Sequence, residues 1–178
     1  MSSQPDWAPR PTDHLPPMRI DHEVALTQVM TTKAYDYWRA RRGSRIMPAR
    51  KDINPRDMRE FVASAGLIEA RPTADGYEYQ VRLAGTRIEE IMGPITGKLF
   101  SEFLPPEIEA RWRRVCEEVR RSRGPVSITG RMAFQARHWL KTEAFVGPLG
   151  EDGQEITMFL LGAATWTDLP EGKSTVPA

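Results

Sequence analysis

The chain has 178 residues, of which 40% are hydrophobic and 28% are charged, and its formal net charge is +1. This composition is that of a soluble globular domain, and it excludes the disordered, collagenous and membrane-spanning classes. The small net charge gives no bulk field that would attract nucleic acid or an anionic membrane, and the single cysteine excludes an internal disulfide and a thiol cluster for zinc.

Both ends of the chain are predicted to be flexible. Residues 1–20 contain five prolines and show no periodicity, and residues 169–178 have the similar composition LPEGKSTVPA. No apolar run approaches the roughly 20 residues of a membrane-spanning helix, and the N-terminus lacks the apolar core of a secretion signal. The sequence therefore predicts a cytoplasmic protein without a membrane partner.

Residues 21–65 are predicted to form a helical segment. Leu26, Met30, Ala34 and their successors recur at intervals of three and four, which is typical of an amphipathic helix, and this helix should stop near Gly43. Asn54, followed directly by proline, has the pattern of a helix cap and predicts a second, shorter helix that runs to about residue 62.

Residues 66–168 are predicted to form an α+β domain on a five-stranded antiparallel sheet. The stretches GLIEAR and YEYQVRLAG predict a hairpin, and three more strands follow a long helix. The last strand, in EITMFLLGAATW, is apolar on both faces, so we expect it to be central and covered twice. Connecting helices would cover one face, and the N-terminal helix or a partner chain would cover the other.

The stretch GTRIEEIMGPITGKLF, from Gly85 to Phe100, has glycines and a lysine that suggest a phosphate-binding loop. Thr86 and Glu89 have the spacing of a capping box, which predicts a helix start, and Gly93 followed by proline predicts its end. Three residues separate Gly93 from the Gly-Lys pair, whereas a P-loop has four residues between its first glycine and this pair. Leucine follows the lysine, where a P-loop has Ser or Thr. These glycines are therefore interpreted as helix-ending turns.

A longer helix is predicted between Pro105 and Gly124, with Trp112 and Cys116 on its apolar stripe. Its arginines alternate with glutamates, which favours a solvated face with helical ion pairs. Cys116 is interpreted as a small core residue, since no neighbouring histidine would activate it as a nucleophile.

Three stretches carry a resemblance to a known family. They are YWRARRGSRIMPARKDINP (Tyr37–Pro55), YEYQVRLAGTRIEEIMGPITGKLF (Tyr77–Phe100) and the weaker KTEAFVGPLGEDG (Lys141–Gly153). Together with the order of the elements, they resemble the PAS-like family of small proteins of unknown function that is common in alphaproteobacteria. The resemblance covers about residues 30–166. It implies a PAS-like sheet with a pocket between the sheet and the connecting helices, used for sensing or protein contact, and it implies neither a particular ligand nor catalytic residues.

Large apolar residues are predicted to line the space between the sheet and the helices. A ligand pocket there would also need inward polar groups, for which Ser101, Thr129, Thr142 and Thr157 are candidates. In the alternative interpretation these apolar residues fill a solid core, and the protein is an interaction scaffold. The six candidates are Met92, Phe100, Phe103, Trp112, Phe134 and Met158.

A second candidate surface is the basic segment between residues 39 and 51. Its arginines could bind an anion or an acidic partner. The simpler interpretation is a solvated helix end, where cations favour the negative end of the helix dipole. Few aromatic residues lie nearby, which argues against a nucleic-acid partner. The candidates are Arg39, Arg41, Arg42, Arg45 and Arg50.

The sequence predicts no metal site and leaves any cofactor unknown. His138 could ligate a haem iron if its ring pointed inward, but a surface role is the simpler interpretation. An enzyme using the cavity would need a base such as Glu143 or Asp152, and no paired carboxylate, triad or metal-ligand spacing accompanies them.

The sequence as a whole predicts a non-catalytic PAS-like sensory or regulatory module of bacterial signalling. It would bind a small-molecule ligand or a signalling protein partner, and it would act as a homodimer through its N-terminal helix and the outer face of the sheet. The alternatives are a protein–protein adaptor without a ligand and, less favoured, a small enzyme that uses the same cavity.

Overall fold

The computed structural model describes residues 15–134, 137, 139–151 and 155–167. The strands are β1 (Met18–Asp21), β2 (Ala65–Thr73), β3 (Gly76–Ala84), β4 (Val126–Arg131), β5 (Leu140–Leu149) and β6 (Met158–Thr167). The helices are α1 (Val29–Arg42), α2 (Thr86–Met92), α3 (Phe100–Phe103) and α4 (Pro106–Ser122). The predicted helix after Asn54 is instead a pair of 3₁₀ turns, Pro55–Met58 and Val62–Ser64.

The strands form one antiparallel sheet in the order β1-β4-β5-β6-β2-β3. The predicted α+β class is confirmed, and β6 lies inside the sheet between β5 and β2, as its two apolar faces indicated. None of the helices among the described residues is both long and apolar enough to cross a membrane.

Within the part of the chain that the structure describes, the sheet has six strands, whereas the sequence predicted five, because β1 adds an edge. Residues 18–20, which the sequence assigned to the flexible arm, pair with β4, from Met18 opposite Gly130 to Asp21 opposite Ser127. A four-residue edge strand is held by main-chain hydrogen bonds to its neighbour, and such bonds leave only a weak side-chain pattern. The rest of the predicted arm, residues 1–14, and the predicted tail lie outside the described residues.

Helix α1 packs directly on β5 and β6. A Cβ atom on Gly162 would lie 2.4 Å from the Cβ of Ala34, so only glycine permits this approach of helix and strand. Nearby, the Nε1 of Trp38 donates a hydrogen bond of 2.9 Å to the carbonyl oxygen of Pro148. The protein's own N-terminal helix, and not a partner chain, therefore covers this part of the outer face.

Helices α2, α3 and α4 cross the opposite face of the sheet. Helix α4 turns a buried stripe toward the strands, which includes Ile108, Val115 and Val119. Cys116 belongs to the same stripe and is fully buried, and burial raises the pKa of its thiol. It is the core residue that the apolar stripe indicated.

The prediction of two helix-ending glycines is right for Gly93 and wrong for Gly97, which lies in a turn between α2 and α3 with a φ of 88° and ends no helix. Gly93 closes α2 with a φ of 82°. The predicted capping box is wrong, because Thr86 is already helical and the carboxylate of Glu89 turns to the next loop. It accepts hydrogen bonds from the backbone of Ile95 (3.2 Å) and Thr96 (3.1 Å). The loop's amides are thus engaged by the chain's own carboxylate, which has a lowered pKa mainly through the bond from Thr96.

Candidate functional site: an apolar cavity between sheet and helices

A cavity of about 390 Å³ lies between the sheet and the helices α2, α3 and α4. This volume is within the range of small-molecule pockets, which is roughly 300–1,000 Å³. The strands contribute apolar side chains that include Ile68, Val81, Ile128, Ala144 and Leu161. The helices contribute Ile88, Ile91 and Ile108, together with residues that the sequence had singled out.

Five of the six predicted pocket residues line this cavity: Met92, Phe100, Phe103, Trp112 and Phe134. Met158 does not line it. Along β6 the residues Leu161, Ala163 and Thr165 line the cavity, and Gly162 faces α1. Because side chains alternate along a strand, Met158 lies on the same face as Gly162.

The polar lining differs from the sequence-based set. Of the four hydroxyl candidates, Thr142 lines the cavity, whereas Ser101, Thr129 and Thr157 do not and are exposed. The polar lining residues that sequence reasoning missed are Gln28, Ser64, Thr165, Arg87, Arg111 and Arg131. No local signal singles out the three arginines, because neighbouring residues on a helix or a strand point in different directions.

The charge of the lining is one-sided. Three arginines line the cavity, and none of the lining residues in the described part of the chain is an aspartate or a glutamate. One nitrogen of the half-buried Arg111 guanidinium donates to the carbonyl oxygen of Pro16 at 2.6 Å. A guanidinium carries five N–H groups, so Arg111 has further donors that could bind an anion.

The cavity extends to a gap at the edge of β2. Strand β2 begins at Ala65 opposite Gly162, so residues 163–167 of β6 have a strand neighbour only in β5. Ser64 lines the cavity beside this gap, together with the first turn of α1. Val29 in that turn is 64% exposed, so the cavity reaches solvent here.

The first turn of α1 is anchored to β5 by the carboxylate of Glu143, which is 1% exposed. One oxygen accepts hydrogen bonds from the backbone N–H (2.9 Å) and the hydroxyl (2.8 Å) of Thr27. The other accepts from the backbone N–H of Gln28 (2.9 Å) and from the hydroxyl of Thr31. Burial disfavours the charged form, but the hydrogen bonds, led by that of Thr31, outweigh it and lower the pKa of Glu143.

This geometry bears on the predicted enzyme alternative. A general base works best with a pKa near the working pH, whereas the pKa of Glu143 is shifted away from neutrality. Its lone pairs are also engaged in fixing α1. The other candidate base, Asp152, and the haem candidate His138 lie outside the described residues. The described residues contain no group of three or more His, Cys, Asp or Glu side chains that could hold a metal ion.

The basic segment surrounds the end of α1, and its arginines have partners within the chain. Arg50 donates to the carbonyl oxygen of Ile53 at 2.9 Å, and the guanidinium of Arg42 lies 5.5 Å from the ring centroid of Trp38. The others form ion pairs: Arg39 with Asp36 (3.1 Å), Arg41 with Asp57 (2.7 Å) and Arg45 with Asp52 (2.7 Å). These pairs reduce the charge that the segment can offer to an anion, and an anion or partner surface here stays a prediction.

The family model of the PAS domain matches residues 26–164, from the segment before α1 into β6. The chain belongs to the PAS domain family. No curated protein and no solved structure gives a significant match to it. In this PAS domain the cavity lies where the resemblance implied, between the sheet and the connecting helices.

Proposed function

We propose that this PAS domain is a sensory or regulatory module of bacterial signalling, which binds a small molecule in its cavity and acts without catalysis. The cavity of about 390 Å³ carries the proposal. A scaffold with a solid core would show tight packing there, because protein interiors rarely leave voids larger than a water molecule. Small-molecule sites typically combine a mostly apolar lining with a few polar groups, and this cavity does the same.

A displacement of the cavity wall on ligand binding would be transmitted to α1 through two contacts, one on β5 and one at Gln28. Thr142 and Ala144, which flank the anchoring Glu143 on β5, both line the cavity. Gln28 is a cavity residue as well as a hydrogen-bond partner of Glu143. A ligand that displaces the cavity wall would therefore shift the anchor of α1, and α1 would present the change to a signalling partner.

The predicted homodimer is part of this proposal, with one change in its geometry. Because α1 covers the outer face of β5 and β6, a second copy would contact the outer side of α1 rather than these strands. Light scattering coupled to size-exclusion chromatography gives the mass in solution and so tests the dimer.

Native mass spectrometry of the freshly purified protein tests the bound ligand. We expect an additional mass that disappears under denaturing conditions. Ala163→Leu adds three carbons inside the cavity and should abolish the additional mass, whereas Ala74→Leu, in the exposed turn between β2 and β3, should retain it. A wild-type protein without additional mass, and without binding of any added compound, would favour the adaptor without a ligand.

A further inference from the structure

We propose that the gap at the edge of β2 binds an extended peptide segment of a partner protein, which pairs with β6 as an added antiparallel strand. This inference goes beyond the proposed function, because such a peptide site needs no small molecule in the cavity. Three observations carry it: the direction of the main-chain groups of β6, the lack of partners for two of its residues, and the open space beside them.

The first observation is that alternate residues of β6 direct their main-chain groups toward the side of β2. The carbonyl oxygen of Ala65 accepts a hydrogen bond of 2.8 Å from the N–H of Gly85, so Ala65 faces away from β6. Its opposite residue in β6, Gly162, therefore directs its N–H and C=O to β5. Because this direction alternates along an antiparallel strand, Ala163 and Thr165 direct theirs to the side of β2.

The second observation is that these main-chain groups lack partners. The register in which β2 pairs with β6 ends before Ala163. The 3₁₀ turn that precedes β2 turns the carbonyl oxygens of Val62 and Ala63 to Gly85, where a Cβ atom would lie 2.2 and 2.3 Å from them. In the part of the chain that the structure describes, the N–H and C=O of Ala163 and Thr165 have no hydrogen bond on this side. An unpaired strand edge is a template for a further strand.

The third observation is open, mostly apolar space beside this edge. Ala163, Ala164 and Thr165 all line the cavity although side chains alternate along a strand, so the main chain itself forms part of the wall. Val29, in the first turn of α1, lines the same space and is 64% exposed. An added strand would thus hydrogen-bond to β6 and turn every second side chain to an apolar lining. The segment that fits is extended, has an apolar residue at every second position and contains no proline.

Hydrogen exchange of the full chain, followed by NMR, tests whether this edge is free. We expect the amides of Ala163 and Thr165 to exchange rapidly. Those of Ala164 and Trp166, which point to β5, should exchange at least about a hundredfold more slowly. Slow exchange at all four amides in the protein without peptide would show that the edge is already paired, and it would overturn the proposal.

A display library of capped peptides of about six residues, the usual length of a strand, supplies the probe for binding. We expect a selected peptide to bind the full chain in isothermal titration calorimetry and to slow the exchange of the Ala163 and Thr165 amides. N-methylation of this peptide removes its main-chain donors and keeps its side chains, and it should weaken binding at least about tenfold.

A pair of variants at Thr165 tests the same contact from the side of the protein. Thr165→Pro removes the N–H at the free edge, and since this group points away from β5, the ladder to β5 keeps its hydrogen bonds. It should weaken the peptide at least about tenfold. Thr165→Val keeps the N–H, is the matched control and should bind the peptide as the wild type does.

The opposite results would overturn strand addition. A peptide that binds equally well after N-methylation and to Thr165→Pro would be recognised through its side chains alone. A library that yields no binding peptide would also refute the peptide site, and an additional mass in the native spectrum would then still support the proposed small-molecule function. Should Thr165→Pro fail to fold, the N-methylated peptide decides the question.

Discussion

The carboxylate of Glu143 is predicted to be a main contributor to the docking of α1, and Glu143→Gln tests this. The substitution keeps the length of the side chain but removes its charge and replaces one acceptor oxygen with an NH₂ group. Each oxygen of the native carboxylate accepts two hydrogen bonds from the segment that includes Thr27, Gln28 and Thr31. In the variant an NH₂ group would face two donors.

The expected loss follows from these bonds. A hydrogen bond to a charged group contributes about 1.5–3 kcal/mol net, and water can partly replace the protein at the exposed Thr27. We therefore expect Glu143→Gln to lower the free energy of unfolding by about 2–3 kcal/mol. For a chain of this size, 1 kcal/mol corresponds to roughly 2–4 °C, so the melting temperature should fall by about 4–12 °C.

Thermal unfolding followed by circular dichroism at several pH values measures this loss. The pKa of Glu143 is lowered in the folded state, so its contribution is complete above the unfolded value of about 4.3 and is lost as the pH falls through the folded value. The difference between wild type and variant should be full at pH 7 and shrink in acid. Glu90→Gln, at an exposed position of α2, is the control and should be neutral. A Glu143→Gln protein as stable as wild type at pH 7, or a difference that grows in acid, would refute this reasoning.

Two further predictions concern the contact between α1 and the sheet. Gly162→Ala would place a Cβ atom 2.4 Å from that of Ala34 and should cost about 1–3 kcal/mol in urea unfolding, whereas Gly124→Ala, with its nearest atom at 3.9 Å, should cost almost nothing; equal stability of the two variants would contradict the close packing. Trp38→Phe removes the 2.9 Å hydrogen bond to the buried carbonyl of Pro148 and should cost about 1–3 kcal/mol. A variant that unfolds at the wild-type urea concentration would show that this bond contributes nothing.

Much of the fold could be predicted from local patterns. The alternation in β3 and the spacing of apolar residues in α4 follow directly from the geometry of strands and helices. The two apolar faces of β6 required a central position, because an exposed apolar face would remain in water. The order of these elements, together with three sequence stretches, carried the resemblance to the PAS family, and the family match confirmed it.

The cavity could be predicted only in part, for a reason that Met158 illustrates. Its strand is apolar on both faces, so the sequence showed that both are covered but not which one faces the cavity. The same limit applies to Arg111, whose helix carries arginines on several sides. Its direction toward the cavity depends on how α4 rests on the sheet.

By itself, the sequence determined most of the helices and strands, the class of the fold and five of the residues that line the cavity, because periodicity and helix-ending residues act within a few positions. Only the tertiary structure decided the role of Glu143, which is 112 residues away from Thr31 in the chain. It likewise decided the edge strand β1 and the position of Arg111 at the cavity wall. Each of these depends on a partner that folding brings close, and no local pattern encodes such a partner.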